Sequence, residues 1–483
     1  MKEKSLVKNV IFNSIYTGLN ILFPLITAPY VSRVLGASNL GLVNFAASFV
    51  NWFVIIAAFG TATYGVREIA KNKNDQSALN KVFSEIMIIN TIMSLLMFFI
   101  YIVIILYMTR FQSDLTLYGI MSLTLLLNMF SIDWFYQGLE EYGYITIRNV
   151  MFKVISIISI FIFIRNSQDY TIYGLISILA TSLSGILNVI YSRKFVKFSF
   201  KNVALLKHIP RLSIFFSLTL IVSLYTNLDQ TLLGLLSTSA AVAYMNRSKT
   251  ITAAAKALAT SISNVTLPRA SYYMNTDKKK FADLINVVPN FILWITIPLT
   301  IGIMFLSSNI MYILGGNQFI GATSLLQIIS PIIILGPLSS FLQNQFLVPT
   351  GNERYGLVAA ILTSILSVLL NIVLIPRYSF NGAAVTSVVS ELFAVLSRIF
   401  IIKELIQYKD INIVNKNFYK YCFSALVMGL IIFLIKSIII NPFVELLLSA
   451  LFGASVYFIM LFLLKEEVTF LLVGKLKEKV KFL

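Results

Sequence analysis

From Val10 to Leu464 the chain is a nearly continuous succession of apolar segments, each about bilayer-length and separated by short polar breaks. A helix needs about 20 predominantly apolar residues to cross the hydrocarbon core. That rule yields fourteen segments, at approximately 10–30, 40–61, 83–108, 115–132, 149–165, 170–192, 212–236, 240–267, 284–306, 321–347, 355–375, 382–403, 420–440 and 443–464. The eighth, rich in Ala, Ser and Thr, is the least hydrophobic. Backbone inside lipid must satisfy its own hydrogen bonds, and these runs lack the alternation of barrel strands, so all are read as helices. Only 12% of residues are charged, against about 25% in soluble domains. Lipid, not water, is the solvent for most of this surface.

The net charge of +18 does not mark a nucleic-acid binder, because the basic residues sit in the breaks and not on one domain. Taken alternately, one set of breaks holds Lys2, Lys4 and Lys8; Arg67, Lys71, Lys73 and Lys81; Arg148; and six basic residues between 193 and 211. It continues with Arg269 and Lys278 to Lys280, Arg354, then Lys403, Lys409, Lys416 and Lys420, and five lysines after 464. The opposite set holds Arg33, Arg110, Arg165, Arg247 and Arg377. By the positive-inside rule both termini are expected in the cytoplasm. A missed or invented span would scramble this asymmetry. The first segment is long enough to span and is followed by no A-x-A site, so it reads as an uncleaved helix. One cysteine, Cys422, and one histidine, His208, exclude a disulfide framework and a Cys/His metal cluster. No cofactor or metal is expected, and no G-x-x-x-x-G-K-[ST] loop suggests an ATPase.

The two halves rhyme. Gly138-Leu139-Glu140-Glu141-Tyr142-Gly143 returns as Gly351-Asn352-Glu353-Arg354-Tyr355-Gly356, each between apolar segments. Arg165 and Gly174 are matched by Arg377 and Gly382, and Leu35-Gly36 with Val43 to Ser48 by Leu233-Gly234 with Val242 to Ser248. The order is the same and the separation roughly constant. Two tandem six-helix lobes follow, related by an axis along the membrane normal because six is even, an architecture of secondary transporters. The expected domains are 1–200, 201–410, and 411–483 with two additional helices and a basic, partly apolar tail read as interfacial.

Charges within spans are unfavourable and usually face a bundle interior or aqueous cavity. Lys153 and Lys436 lie near segment ends, where they can snorkel. Asp229 and Lys249 fall at comparable depth on the seventh and eighth segments, in position for an ion pair. Lys256 lies seven residues after Lys249, about 10 Å deeper on nearly the same face. Small residues from Ala253 to Ser263 surround it and suit either a water-lined surface or close helix packing. Glu391 and Arg398 repeat that spacing on the twelfth segment, where self-pairing competes with transport. Asp229, Glu391 and Glu85 are the carboxylates available to carry a coupling ion. Arg33, Arg67, Arg148, Arg247 and Arg269 stand at segment ends. Each is an ordinary anchor by itself; together they could line the mouths of a cleft with guanidinium forks that match phosphate bidentately. Asp133-Trp134-Phe135-Tyr136-Gln137-Gly138 reads either as aromatic belt or as a sugar or isoprenoid contact.

Pro29-Tyr30-Val31-Ser32-Arg33-Val34-Leu35-Gly36, the stretch from Gly60 through Arg67-Glu68-Ile69-Ala70, and Asp133 to Glu140 with Ile145-Thr146-Ile147-Arg148-Asn149 resemble the Wzx-type polysaccharide repeat-unit flippases. These belong to the multidrug/oligosaccharidyl-lipid/polysaccharide exporter superfamily. The resemblance implies an all-α polytopic fold whose two lobes form a V around a cationic cleft that opens alternately to each side. Its implied cargo is an undecaprenyl-diphosphate-linked oligosaccharide for capsule, O-antigen or similar assembly, with membrane lipids and a polysaccharide polymerase as partners in the bacterial cytoplasmic membrane. It also implies that Lys249, Lys256 and Arg247 hold the pyrophosphate; the family's arginine inside the first helix has no counterpart before Arg33. Shelter of a polar head while the tail stays in lipid needs no covalent step, so no catalytic residue is expected. The competing readings are a flippase for another lipid-linked cell-wall precursor, a cation-coupled multidrug antiporter, and a polymerase or ligase, which would need larger outer loops.

Overall fold

The computed structural model describes residues 6–200, 203–408 and 411–471. Lys2, Lys4, Lys201, Lys409 and the tail beyond residue 471, with Lys475, Lys477, Lys479 and Lys481, lie outside them. The chain divides into two compact units, Met1–Ala243 and Tyr244–Leu483, and the described residues contain helices and no strand.

The first unit contains α1 (Leu6–Ala58), α2 (Thr61–Asn72), α3 (Gln76–Tyr107), α4 (Thr109–Gln112) and α5 (Leu115–Asn128). It continues with α6 (Asp133–Gly138), α7 (Tyr142–Phe163), α8 (Tyr170–Ile178), α9 (Ser184–Ser192) and α10 (Ile209–Leu236). A π-helical stretch, Leu179–Leu183, joins α8 to α9. Helix α1 packs against α3, α5, α7 and α10 and forms the unit's axis. It carries the first two expected segments, turned at Gly36, whose φ of 74° and ψ of 171° are a backbone state essentially restricted to glycine.

The chain then runs through α11 (Ser239–Thr276) into the second unit's α12 (Lys278–Gly315), α13 (Thr323–Ile329), α14 (Ile332–Phe341), α15 (Glu353–Phe400), α16 (Lys416–Ile438) and α17 (Pro442–Leu463). Helix α15 holds the eleventh and twelfth expected segments, bent at Ser379 with φ 52°. Beyond the bend Gly382 lies against the Leu374 carbonyl so closely that a Cβ would collide with it. Helices α16 and α17 pack on each other and on α12.

Counted as uninterrupted apolar helix among the described residues, ten stretches are long enough to cross a membrane, with Ile332–Leu347 as a shorter apolar stretch. Two of the ten, Gly18–Asn72 and Glu353–Leu405, each take in two expected segments because the bend does not end the helix. Lys278–Ile329 takes in the ninth and the start of the tenth, and the polar α11 is not among the ten. The protein is a multi-pass, all-helical membrane protein. Its packing agrees: Ile92, Phe99, Val103, Leu369 and Leu430 are exposed, while Ser84, Asn90, Ser94, Thr296 and Thr300 are buried between helices. Small polar residues let helices approach and bond across an apolar solvent.

Polar breaks close the helices. Asp75, Asp277, Asn415 and Asn441 each accept two backbone N–H groups of the following helix's first turn. The two rhyming stretches form the same turn. Glu140 and Gly351 are left-handed, with φ of 61° and 72°. After each, the next N–H closes onto the carbonyl five residues back, Glu141 to Tyr136 and Asn352 to Leu347, both at 2.8 Å. This is a Schellman-type helix end. The sequence aligns Gly138 with Gly351, whereas the backbone aligns Glu140 with Gly351. Gly138 instead sits against Ile69, where a Cβ would come within 2.7 Å.

Candidate functional site

In the second unit, α11 places Lys256 against α14 and α15. A Cβ on Gly336 would lie 3.0 Å from the lysine Cδ and 3.8 Å from both its Nζ and Glu391 Oε1. Glycine at 336 therefore lets the lysine stem lie flat on α14 with its ammonium beside Glu391. Lys256 is half-buried. Among the described residues its ammonium makes no hydrogen bond or ion pair, although the charges of Glu391 and Lys249 act on it. Such a cation, shielded but not consumed, can accept an anion without first breaking a protein contact. The charges of Lys256 and Arg398 both act on the Glu391 carboxylate. Arg398, buried on the next turns of α15, donates to Ser339 Oγ (3.1 Å), Gln343 Oε1 (3.3 Å) and the Ala394 carbonyl (2.9 Å). It ties α15 to α14 and to the π-helical stretch Leu342–Leu347. Gln345 in that stretch donates to the Ser263 carbonyl of α11.

The same unit carries an apolar groove of about 350 Å³ between α12, α16 and α17, bordered by Trp294, Pro298, Gly302, Met428 and Tyr457. Leu258, two residues beyond Lys256, forms part of its wall. Pro298 and Gly302 leave the space open: a Cβ on Gly302 would touch only Met428, at 3.9 Å.

In the first unit Arg148 is buried and held by the protein. Its guanidinium is bidentate to Asp133, at 2.9 and 3.2 Å, and also donates to the side chains of Asn188 and Asn149 (2.9 Å to Asn149). Tyr144 lies under it, its ring centre 5.7 Å from the guanidinium carbon. The neighbouring aromatics Trp134, Phe135 and Tyr136 are 0–4% exposed, so this run belongs to the core and not to an interfacial belt. Gly65 accommodates Trp134, whose Cε3 would be 2.5 Å from a Cβ at that glycine.

Glu85 is fully buried. It accepts from His208 Nε2 (2.8 Å), Lys207 Nζ (2.9 Å) and the Ala204 N–H (2.8 Å), and His208 Nδ1 meets the Tyr64 hydroxyl at 2.6 Å. These contacts fasten the segment before α10 onto α2 and α3. Arg33 and Arg67 are exposed in the first unit and Arg269 in the second; Arg247 is buried. Asp229 is buried on α10 and accepts the Gln230 N–H, while Lys249 belongs to the second unit. Lys153 donates to Asn20 and lies over Phe23, its Nζ 5.3 Å from the ring centre. Sequence reasoning did not single out Gly336, Ser339, Gln343 or Asn188. Their roles arise from long-range packing; only the glycine, a helix-weakening residue beside Pro337, carried a local signal.

A family model described as polysaccharide biosynthesis protein matches residues 6–274. A protein named for O-antigen transport in Escherichia coli (strain K12) is 24% identical over 394 residues, covering 80% of this chain and 94% of that protein. A similarly named protein of Shigella dysenteriae is 24% identical over 406 residues, with 80% and 98% covered. The fold is similar to that of the lipid II flippase MurJ in an inward closed conformation, with TM-score 0.78, 18% identity, and coverage of 95% of this chain and 99% of that one. It is also similar to an inward-facing multidrug resistance MATE family transporter of the MOP superfamily, with TM-score 0.59, 14% identity, and 83% and 99% coverage. By the extent of the family match, together with its helical membrane fold, the chain belongs to the polysaccharide biosynthesis protein family.

Proposed function

We propose that this protein is a flippase that carries undecaprenyl-diphosphate-linked oligosaccharide repeat units across the bacterial cytoplasmic membrane. The observation that carries the reading is Lys256, a half-buried ammonium with no hydrogen-bonded or ion-paired partner among the described residues. A pyrophosphate supplies the hydrogen-bonded acceptor that this ammonium lacks, and Lys249 and Arg247 lie on the same helix. The apolar groove of α12, α16 and α17 suits a polyisoprenoid tail, which then need not leave an apolar medium. Names of the relatives and the shared fold support the same cargo class.

In this reading the chain crosses the membrane fourteen times with both termini in the cytoplasm, and two six-helix repeats rock around a central site in alternating access. The Glu140 and Gly351 turns, alike in backbone, are the best internal sign of the repeat. Asp229, Glu391 and Glu85 remain the carboxylates proposed for ion coupling; of these, Glu85 already holds three protein donors. The head group moves unchanged, so the protein acts as a transporter and not an enzyme, handing its product to a polymerase outside. The test is translocation of a lipid-pyrophosphate oligosaccharide in proteoliposomes. Transport by the intact chain and its loss in Lys256→Ala support the reading. Failure of the intact chain with every glycan, alongside drug efflux under an ion gradient, makes it an antiporter instead.

A further inference from the structure

The first unit contains a polar cavity of about 210 Å³ where α5, α6 and α9 converge, and it is distinct in lining from the Lys256 site. Thr124, Asn128, Ser131, Asp133, Ser184 and Asn188 face it, and the π-helical stretch Leu179–Leu183 contributes Thr181 and Ser182. π-Bulges recur at functional sites. Gly185 makes the close wall possible: a Cβ there would stand 2.8 Å from the Phe130 carbonyl oxygen.

The lining is built and only partly satisfied. Asn128 donates to Ser94 Oγ at 2.9 Å, which orients its side chain, and its backbone carbonyl accepts from Asn90 at 2.8 Å. Its Oδ1 has no donor among the described residues, and the hydroxyls of Thr124, Ser131 and Ser184 make no hydrogen bond there, although Ser184 is 4% exposed. Asp133 accepts two bonds from Arg148 and one from Asn188 (2.6 Å), leaving an acceptor position on Oδ2. Ser131 is exposed and Thr124 and Asn128 are half-buried, so these open donors and acceptors line an accessible cavity and suit a polar occupant that enters it.

Charge decides its class. Arg148 and Asp133 neutralise each other, so the cavity offers neither net positive charge to a pyrophosphate nor a free carboxylate to a cation. A neutral polyol fits the mixture of hydroxyl, amide and carboxylate groups. The volume is well above the roughly 30 Å³ share of one water and below the about 300–1,000 Å³ of sites for drug-sized ligands. We propose that this cavity binds one sugar ring of the cargo and makes the protein read the glycan separately from its pyrophosphate. This inference rests on the reading of the cargo as a lipid-linked glycan.

The experiment titrates the full chain in lipid nanodiscs with undecaprenyl pyrophosphate, unmodified or bearing one hexose or one N-acetylhexosamine. Thr124→Val with Ser184→Ala removes two unpartnered hydroxyls at nearly constant shape; Thr124→Val alone serves as the second variant, and thermal unfolding checks the fold. Two neutral hydrogen bonds correspond to roughly 5- to 150-fold in affinity. The expected result is that the intact chain prefers one glycosylated lipid, and that the double variant loses roughly that factor for it while its affinity for the sugar-free lipid is unchanged. Equal losses for all three lipids, or a sugar preference that survives both variants, overturns the proposal. So does sodium-dependent binding of the sugar-free lipid that the variants abolish, which assigns the cavity to a cation. Equal affinity of the intact chain for all three lipids overturns the sugar site and leaves the pyrophosphate reading standing. Binding of none overturns the function itself.

Discussion

Replacing Lys256 by alanine separates an anion-binding lysine from a structural one. In the free protein the ammonium has no hydrogen bond to lose, so truncation removes the stem's packing over Gly336 and the charge beside Glu391 together with the contact made with a bound pyrophosphate. A charge-assisted hydrogen bond contributes about 1.5–3 kcal/mol, which is roughly 10- to 150-fold in Kd. Glu391 works in the opposite direction, because its carboxylate shares the space over Gly336 with the lysine and repels an incoming anion. At an effective dielectric constant near 20, two unit charges about 10 Å apart interact by about 1.7 kcal/mol, so Glu391→Gln is expected to tighten binding by up to roughly 20-fold. The assay is titration of undecaprenyl pyrophosphate into nanodisc-embedded protein, with thermal unfolding in parallel. Lys256→Ala weakens binding by more than any fall in Tm explains, Lys256→Arg retains most of it, and Glu391→Gln strengthens it. An unchanged Kd in Lys256→Ala refutes the argument, as does a fall in Tm that accounts for the loss.

Glu85→Ala strands His208, Lys207 and the Ala204 N–H around a buried void. Breaking a buried pair in this way costs about 3–5 kcal/mol, so Tm should fall by roughly 6–20 °C at about 2–4 °C per kcal/mol, and an unchanged Tm would show that the cluster holds nothing. Gly65→Ala drives a methyl into Trp134 and is expected to destabilise by about 1–3 kcal/mol, with altered tryptophan fluorescence as an independent readout. Gly302→Leu fills the apolar groove; it should weaken undecaprenyl pyrophosphate binding several-fold while a short-chain pyrophosphate binds as before, and equal effects on both would place the tail elsewhere. Single cysteines at Glu140 and Gly351, in a chain with Cys422→Ala, should react with an impermeant thiol reagent from the same side of the membrane; labelling from opposite sides would contradict two repeats of even helix number.

Much of the fold was legible because hydropathy acts locally: each apolar segment announces a helix without reference to the rest. The bends were less so. Gly36 stood out as a glycine between two segments, and Pro376 and Gly382 marked the break in α15, but not that Ser379 itself takes the φ of 52° or that the helix resumes directly beyond it. The rhyme between Gly138 to Gly143 and Gly351 to Gly356 was visible, yet its register was not. A left-handed helix end can form at Glu140 as well as at a glycine when the backbone bond from Glu141 to Tyr136 secures it.

The sequence by itself determined that the chain lives in lipid, where its helices lie, how basic residues alternate between breaks, and that Lys256 sits among small residues. These properties depend on composition and on spacing along one helix. Tertiary structure alone decided which charges are spent and which remain available. Arg148 and Lys256 read alike as cations near or within spans, but Asp133, fifteen residues away in sequence, and Asn188, forty away, engage the arginine's guanidinium. Helical spacing paired Glu391 with Arg398, whereas packing across Gly336 also sets Lys256 of another helix beside it. Coulomb energy falls with distance in space and hydrogen bonds require atoms about 3 Å apart, and neither distance is written in the order of residues.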